Sequence, residues 1–69
     1  MKRVVIEYKD SKVEFKAKEV FYKTEFGWLK EIGYLPEGKR QRKWYPIGGY
    51  RDENNDYTAV QLTIEEVER

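Results

Sequence analysis

The chain has 69 residues, with 14 Lys or Arg against 13 Asp or Glu (net charge +1), 39% hydrophobic and 16% aromatic residues, and neither cysteine nor histidine. One core fits that length, near the lower limit at which burial alone supports a fold, and disulfides, thiolate metal sites and the commonest general base are excluded. No run approaches membrane-spanning length, and Val4-Val5-Ile6 is too short for a secretory leader, so the expectation is a single small β domain over residues 1–69, cytoplasmic and without a membrane partner.

Charge is unevenly placed along the chain. Residues 1–50 hold twelve Lys or Arg against seven Asp or Glu, a balance of +5, and residues 51–69 hold two against six, a balance of −4. Such a split arises when two halves attract each other on folding, the reading favoured here, or when an acidic segment tempers a basic binding face.

In chain order, Val4, Ile6 and Tyr8 share one side of an extended segment, and Val13, Phe15 and Ala17 alternate with Lys12, Glu14, Lys16 and Lys18 in the next. This is the period of two that marks strands, and Lys9-Asp10-Ser11-Lys12 supplies the turn of a hairpin. A two-residue loop at Asp10-Ser11 would oppose Glu7 to Glu14. A four-residue loop over residues 10–13 would oppose Glu7 to Lys16 and expose Val13, whose burial is worth roughly 1.5 kcal/mol.

Residues 19–35 allow two readings. A helix would gather Phe21, Trp28, Leu29, Ile32 and Leu35 on one side, with Gly33 and Pro36 as a stop signal. Strands Val20–Lys23 and Trp28–Ile32 around a turn at Thr24-Glu25-Phe26-Gly27 are favoured, because the segment is rich in aromatic and β-branched residues, lacks an N-cap, and would hold Gly27 mid-helix at a cost of about 1 kcal/mol.

Leu35-Pro36-Glu37-Gly38 is a turn, and extended structure resumes from Lys43 to Ile47, where Pro46 implies an edge or a bend. After the polar loop Asp52–Asp56, residues 57–64 alternate again with Val60, Leu62 and Ile64 on one face. The expected architecture is all-β, a small five-stranded SH3-like or OB-like barrel, with a ββαββ two-layer sandwich carrying a helix at about residues 19–32 as the alternative. A hairpin, a bent second strand, two further strands and a closing strand resemble many small SH3-like modules, without a motif that names a family. Val4, Ile6, Phe15, Leu29, Ile32, Val60 and Leu62 are the expected core.

The densest run of cations, Lys39, Arg40, Arg42 and Lys43, leads directly into Trp44 and Tyr45. Cations beside aromatics suit a phosphate backbone with stacked bases, whereas a solvated turn with Trp44 in the core is the plainer reading. Asp52-Glu53-Asn54-Asn55-Asp56 begins like a calcium loop, but Tyr57 and Thr63 stand where the turning glycine and closing glutamate belong, so an ordinary turn is expected. No base, nucleophile and metal set exists from which to build an enzyme. Eleven aromatics exceed what so small a core buries, so some of Tyr22, Tyr34, Tyr45, Tyr50 and Tyr57 should be exposed, and surface tyrosine beside arginine is hot-spot composition.

The functional expectation is therefore a non-enzymatic binding module with no cofactor, metal or small-molecule substrate. It would engage a protein partner, or a second copy through a strand edge, with nucleic acid as the alternative. The candidate binding residues are Lys39, Arg40, Arg42, Lys43, Tyr45 and Tyr50. By analogy, so short a chain suits an accessory or modulator protein of the kind phages and other mobile elements carry.

Overall fold

The computed structural model describes residues 1–48 and 59–68. Their strands are β1 (Lys2–Glu7), β2 (Lys12–Ala17), β3 (Phe21–Glu25), β4 (Trp28–Tyr34), β5 (Lys43–Pro46) and β6 (Gln61–Glu66). They form two antiparallel three-stranded sheets, ordered β2-β1-β6 and β3-β4-β5. The all-β expectation holds, but six strands replace five, because the second strand is interrupted at Lys18–Val20 where the chain passes from one sheet to the other. Residues 19–32 form no helix. The two sheets do not close into a barrel. Among the described residues no helix is long and apolar enough to cross a membrane.

The first hairpin adopts neither of the two registers weighed from the sequence. A two-residue loop at Lys9-Asp10, closed by Tyr8 N–H donating to the Ser11 carbonyl at 2.8 Å, sets Val4 against Phe15 and Ile6 against Val13. All four apolar side chains thus meet on one face, and Glu7 gains Lys12 as its opposite neighbour. Burial decides the register and charge follows. Arg3 does end opposite Lys16, but its guanidinium reaches Glu14 at 3.0 Å on one neighbouring strand and Glu65 on the other. This fork, with the amino terminus 4.0 Å from Glu66, is where the basic and acidic parts of the chain meet.

Val4, Ile6, Phe15, Ala17 and Ile32 form the buried core. Val4 and Ile6 are fully enclosed because β1 is the central strand of its sheet, flanked by Phe15 and Val13 on one side and Ile64 and Leu62 on the other. Ile32 holds the equivalent position in the second sheet, between Tyr22 and Tyr45. Phe15 joins the layers: its ring stacks on Tyr34 at 4.1 Å between centroids and lies 5.6 Å from Tyr45. Leu29 and Leu62 are only half-buried, and Val60 is 70% exposed, against expectation. Val60 lies before β6 begins, and its backbone N–H is bound to the Glu7 carbonyl.

At one corner the sheets are also tied by backbone. Ile47 N–H donates to Lys30 of β4, Ala59 N–H donates to Ile47, and Val60 N–H donates to Glu7 of β1. The Tyr8 hydroxyl donates to the Pro46 carbonyl across the same corner. Among the described residues β5 pairs only with β4, so Pro46 sits on an edge strand as its missing N–H requires.

Trp44 lies over Gly33 so closely that a Cβ there would stand 2.6 Å from Cε3 of the indole and 2.8 Å from the Lys43 carbonyl oxygen. Gly33→Ala is therefore expected to cost about 1–3 kcal/mol through overpacking, measured as a drop in the urea midpoint with unchanged m-value.

The Arg3 hydrogen bond, and then its charge, hold the Glu14 carboxyl below its ordinary value. The unfolded chain consequently binds more protons than the folded one as acid is added. This contribution is complete above the ordinary glutamate value of about 4.3 and is lost as pH falls through the lowered folded value. Glu14→Gln should thus show a smaller loss of stability than wild type when urea titrations at about pH 6 and about pH 3 are compared.

Candidate functional site

The β3–β4 hairpin turns on only two residues, Phe26 and Gly27, between the paired Glu25 and Trp28. Both have positive φ, 52° and 81°, the signature of a type I′ turn. Glycine accepts that conformation freely, whereas a phenylalanine there incurs roughly 1–2 kcal/mol of steric cost, and asparagine is the residue this position favours. Phe26 gains no burial in return: it is 89% exposed, and Trp28 beside it is 72% exposed. Tyr22, on the same hairpin, is also exposed.

The shaft below this tip is stiffened and electrically closed. The register shifts between Lys23 and Thr24, which leaves Lys30 as an extra residue on β4. Its carbonyl turns to accept from Ile47 N–H at 2.8 Å and Gly48 N–H at 3.2 Å, so the irregularity is fastened to the neighbouring chain. Lys30 Nζ lies 2.9 Å from Glu25, and Lys23 Nζ lies 3.8 Å from Glu31. The hydrogen bond that Lys30 donates to Glu25, and then the charge of Glu25, raise the Lys30 ammonium above its ordinary value.

The cation run lies in the β4–β5 connection, opened by a turn in which Lys39 N–H donates to the Pro36 carbonyl and Gly38 takes φ 78°. Of the six sequence candidates, the five described ones have different surroundings. Lys39 and Arg40 are exposed and make no ion pair among the described residues. Arg42 instead lies over the Phe21 ring at 3.6 Å, and Lys43 Nζ is 5.5 Å from the Tyr45 ring. Tyr45 faces inward against Phe15, which gives it a packing role. Trp44 packs on Gly33 with Lys23 Nζ 4.2 Å above its ring. Tyr50, Gly49 and the Asp52–Asp56 loop lie outside the described residues.

A third feature is a cleft of about 500 Å³ near the β2–β3 crossover, lined by Met1, Ala17, Phe21, Tyr34 and Leu35 with Lys16, Lys18, Glu19 and Glu37 around it. Met1 is 41% and Leu35 48% exposed there. Phe26 and Trp28 are absent from the sequence candidates, because Phe26 counted as part of a turn and Trp28 as a strand residue. The signal was present: Phe-Gly stands where a two-residue hairpin loop favours Asn-Gly. No protein-family model, curated protein or solved structure matches the chain.

The different surroundings of the two loop arginines give a direct check. Arg42→Ala should cost about 0.5–1 kcal/mol through lost contact with Phe21, whereas Arg40→Ala should stay within about 0.5 kcal/mol of wild type, both read from thermal melts.

Proposed function

We propose that the chain is a non-enzymatic protein-interaction module, an open SH3-like half-barrel of the accessory or modulator kind, whose contact surface is the tip of the β3–β4 hairpin. The half-barrel reading is supported by the strand path: β2 and β3 follow one another as two parts of one bent strand, and β6 returns to pair with β1. The observation that carries the functional reading is Phe26, a large aromatic residue kept in a left-handed conformation and left in water. Folding alone favours asparagine or glycine at this position. A residue that raises the energy of the free monomer and exposes apolar area is best used against a partner, as strained and locally inconsistent positions are at functional sites. With Trp28 next to it, the tip has the aromatic composition of a binding hot spot.

This reading sets stability against binding at one position. Phe26→Asn should raise the unfolding free energy by about 1 kcal/mol by creating the favoured Asn-Gly turn. The same substitution should abolish crosslinking between the tip, carrying a photoreactive group at Thr24, and its protein partner. A variant that loses stability, or keeps full crosslinking, would overturn the assignment.

A second reading, nucleic acid held by the cation loop, is supported by the exposed Lys39 and Arg40. It is weakened by the engagement of Arg42 and Lys43 with the protein's own rings and by the pairing of the sheet cations with Glu25 and Glu31. Titration of labelled single- and double-stranded oligonucleotides at two salt concentrations tests it. Binding that falls steeply with salt and disappears in the Lys39→Ala/Arg40→Ala variant would favour this reading over the first.

A further inference from the structure

The same hairpin carries an apolar projection at one end and borders an apolar recess at the other. The projection is Phe26 with Trp28. The recess is the cleft lined by Met1, Ala17, Phe21, Tyr34 and Leu35, in which Phe21 begins β3 and Tyr34 ends β4. Five residues of extended chain separate Phe21 from Phe26, about 17 Å at strand rise. The shaft between them is a paired ribbon braced at its bulge, so a chain cannot fold its own tip back into its own cleft. From this juxtaposition we propose that the partner is a second copy of this chain, the hairpin tip of one molecule entering the Met1/Phe21/Tyr34/Leu35 cleft of the next. The inference rests on the reading of the tip as a protein-contact surface and names its occupant.

Size and charge both fit this occupant. A cleft of about 500 Å³ is in the range that encloses a small ligand or an aromatic side chain. The shaft enters neutral, its Lys23 and Lys30 already paired with Glu31 and Glu25. Around the cleft Lys16 and Lys18 stand against Glu19 and Glu37, the amino terminus lies 4.0 Å from Glu66, and Arg42, over the Phe21 ring, is the cation left over among these groups. Two aromatic side chains bury roughly 150–250 Å² each, and an equal area on the cleft brings the total to about 600–1,000 Å². That is below the roughly 1,200–2,000 Å² of a stable specific interface, so the contact is weak and depends on concentration. Because tip and cleft are different surfaces, the contact is heterologous. Each added molecule presents a new tip and a new cleft, and assembly proceeds to a ring or an open chain instead of stopping at a two-fold dimer.

Sedimentation velocity on wild type from micromolar to millimolar concentration, with two variants, tests this. Phe26→Asn/Trp28→Thr removes the projection, and Leu35→Asp blocks the cleft, with Leu35→Lys as a second blocking variant. Circular dichroism melts first establish that each is folded. Wild type should grow past the dimer as concentration rises, and each variant alone should stay monomeric. An equimolar mixture of a tip variant with a cleft variant should form a one-to-one heterodimer and nothing larger, since it retains one working tip and one working cleft. Wild type that stays monomeric throughout, a tip variant that still self-associates, or a mixture that does not pair would each overturn the proposal. Loss of Thr24 crosslinking to a different protein in the tip variant, with wild type remaining monomeric, would overturn only the choice of a second copy and leave the tip assignment standing.

Discussion

The fold depends on Phe15 reaching across to Tyr34 and Tyr45. Each sheet has only three strands, and neither could hide a face alone. Phe15 is the buried residue of β2 whose ring spans the space between the layers, and the two tyrosines meet it from β4 and β5 with nearly parallel planes. The Tyr8 hydroxyl bond to Pro46 and the Ile47–Ala59 link then fix the angle between the layers at one corner. At the other end, near Met1, no comparable tie exists among the described residues, and the cleft is found there.

With the core satisfied so economically, the remaining aromatics have other tasks. Phe21 and Trp44 sit on the outer face of the second sheet and draw cations over their rings, which shields apolar surface without burying it. Phe26 and Trp28 have no such cover among the described residues. The contrast between the Trp44 ring, roofed by Lys23, and the rings of Phe26 and Trp28 separates a residue that solubilises the sheet from residues available to a partner.

The strands were legible from alternation: Val4, Ile6 and Phe15 declare a core face at period two, and the aromatic and β-branched run over residues 20–32 resists a helix. The register of the first hairpin was not legible, because charge pairing and apolar burial were weighed over loops that left out Lys9-Asp10, the loop that reconciles them. Val60 misled because alternation continues one step beyond the strand. The attraction expected between the basic and acidic parts has a visible counterpart in Arg3 reaching Glu65, while Asp52, Glu53 and Asp56 lie outside the described residues. The cation run attracted attention as a site because density of charge is conspicuous in a sequence. Within it Arg42 covers Phe21 while Lys39 and Arg40 stand exposed, and the adjacent Tyr45 turns inward. The exposed tip was hard to read because hydrophobicity gives no direction at a turn, and Phe-Gly lay inside an expected four-residue turn where its unfavourable fit to a two-residue loop does not show; in the structure Phe26 is 89% exposed.

The order in which strands pair also has a kinetic side. β3, β4 and β5 are consecutive neighbours joined by short or moderate loops, so that sheet can form from contacts close in sequence. β1 is different: its pairing with β6 joins Arg3 to Glu65 across nearly the whole chain. Closing so long a loop is entropically slow, and contacts of this separation govern the rate at which small β proteins reach the native state. β1, whose Val4 and Ile6 are the most deeply buried in the end, therefore waits for β6, far along the chain from it. Until then Val4 and Ile6 have only β2 as a neighbour and one flank of β1 stands open. That interval is when this molecule is most prone to pair with the wrong strand.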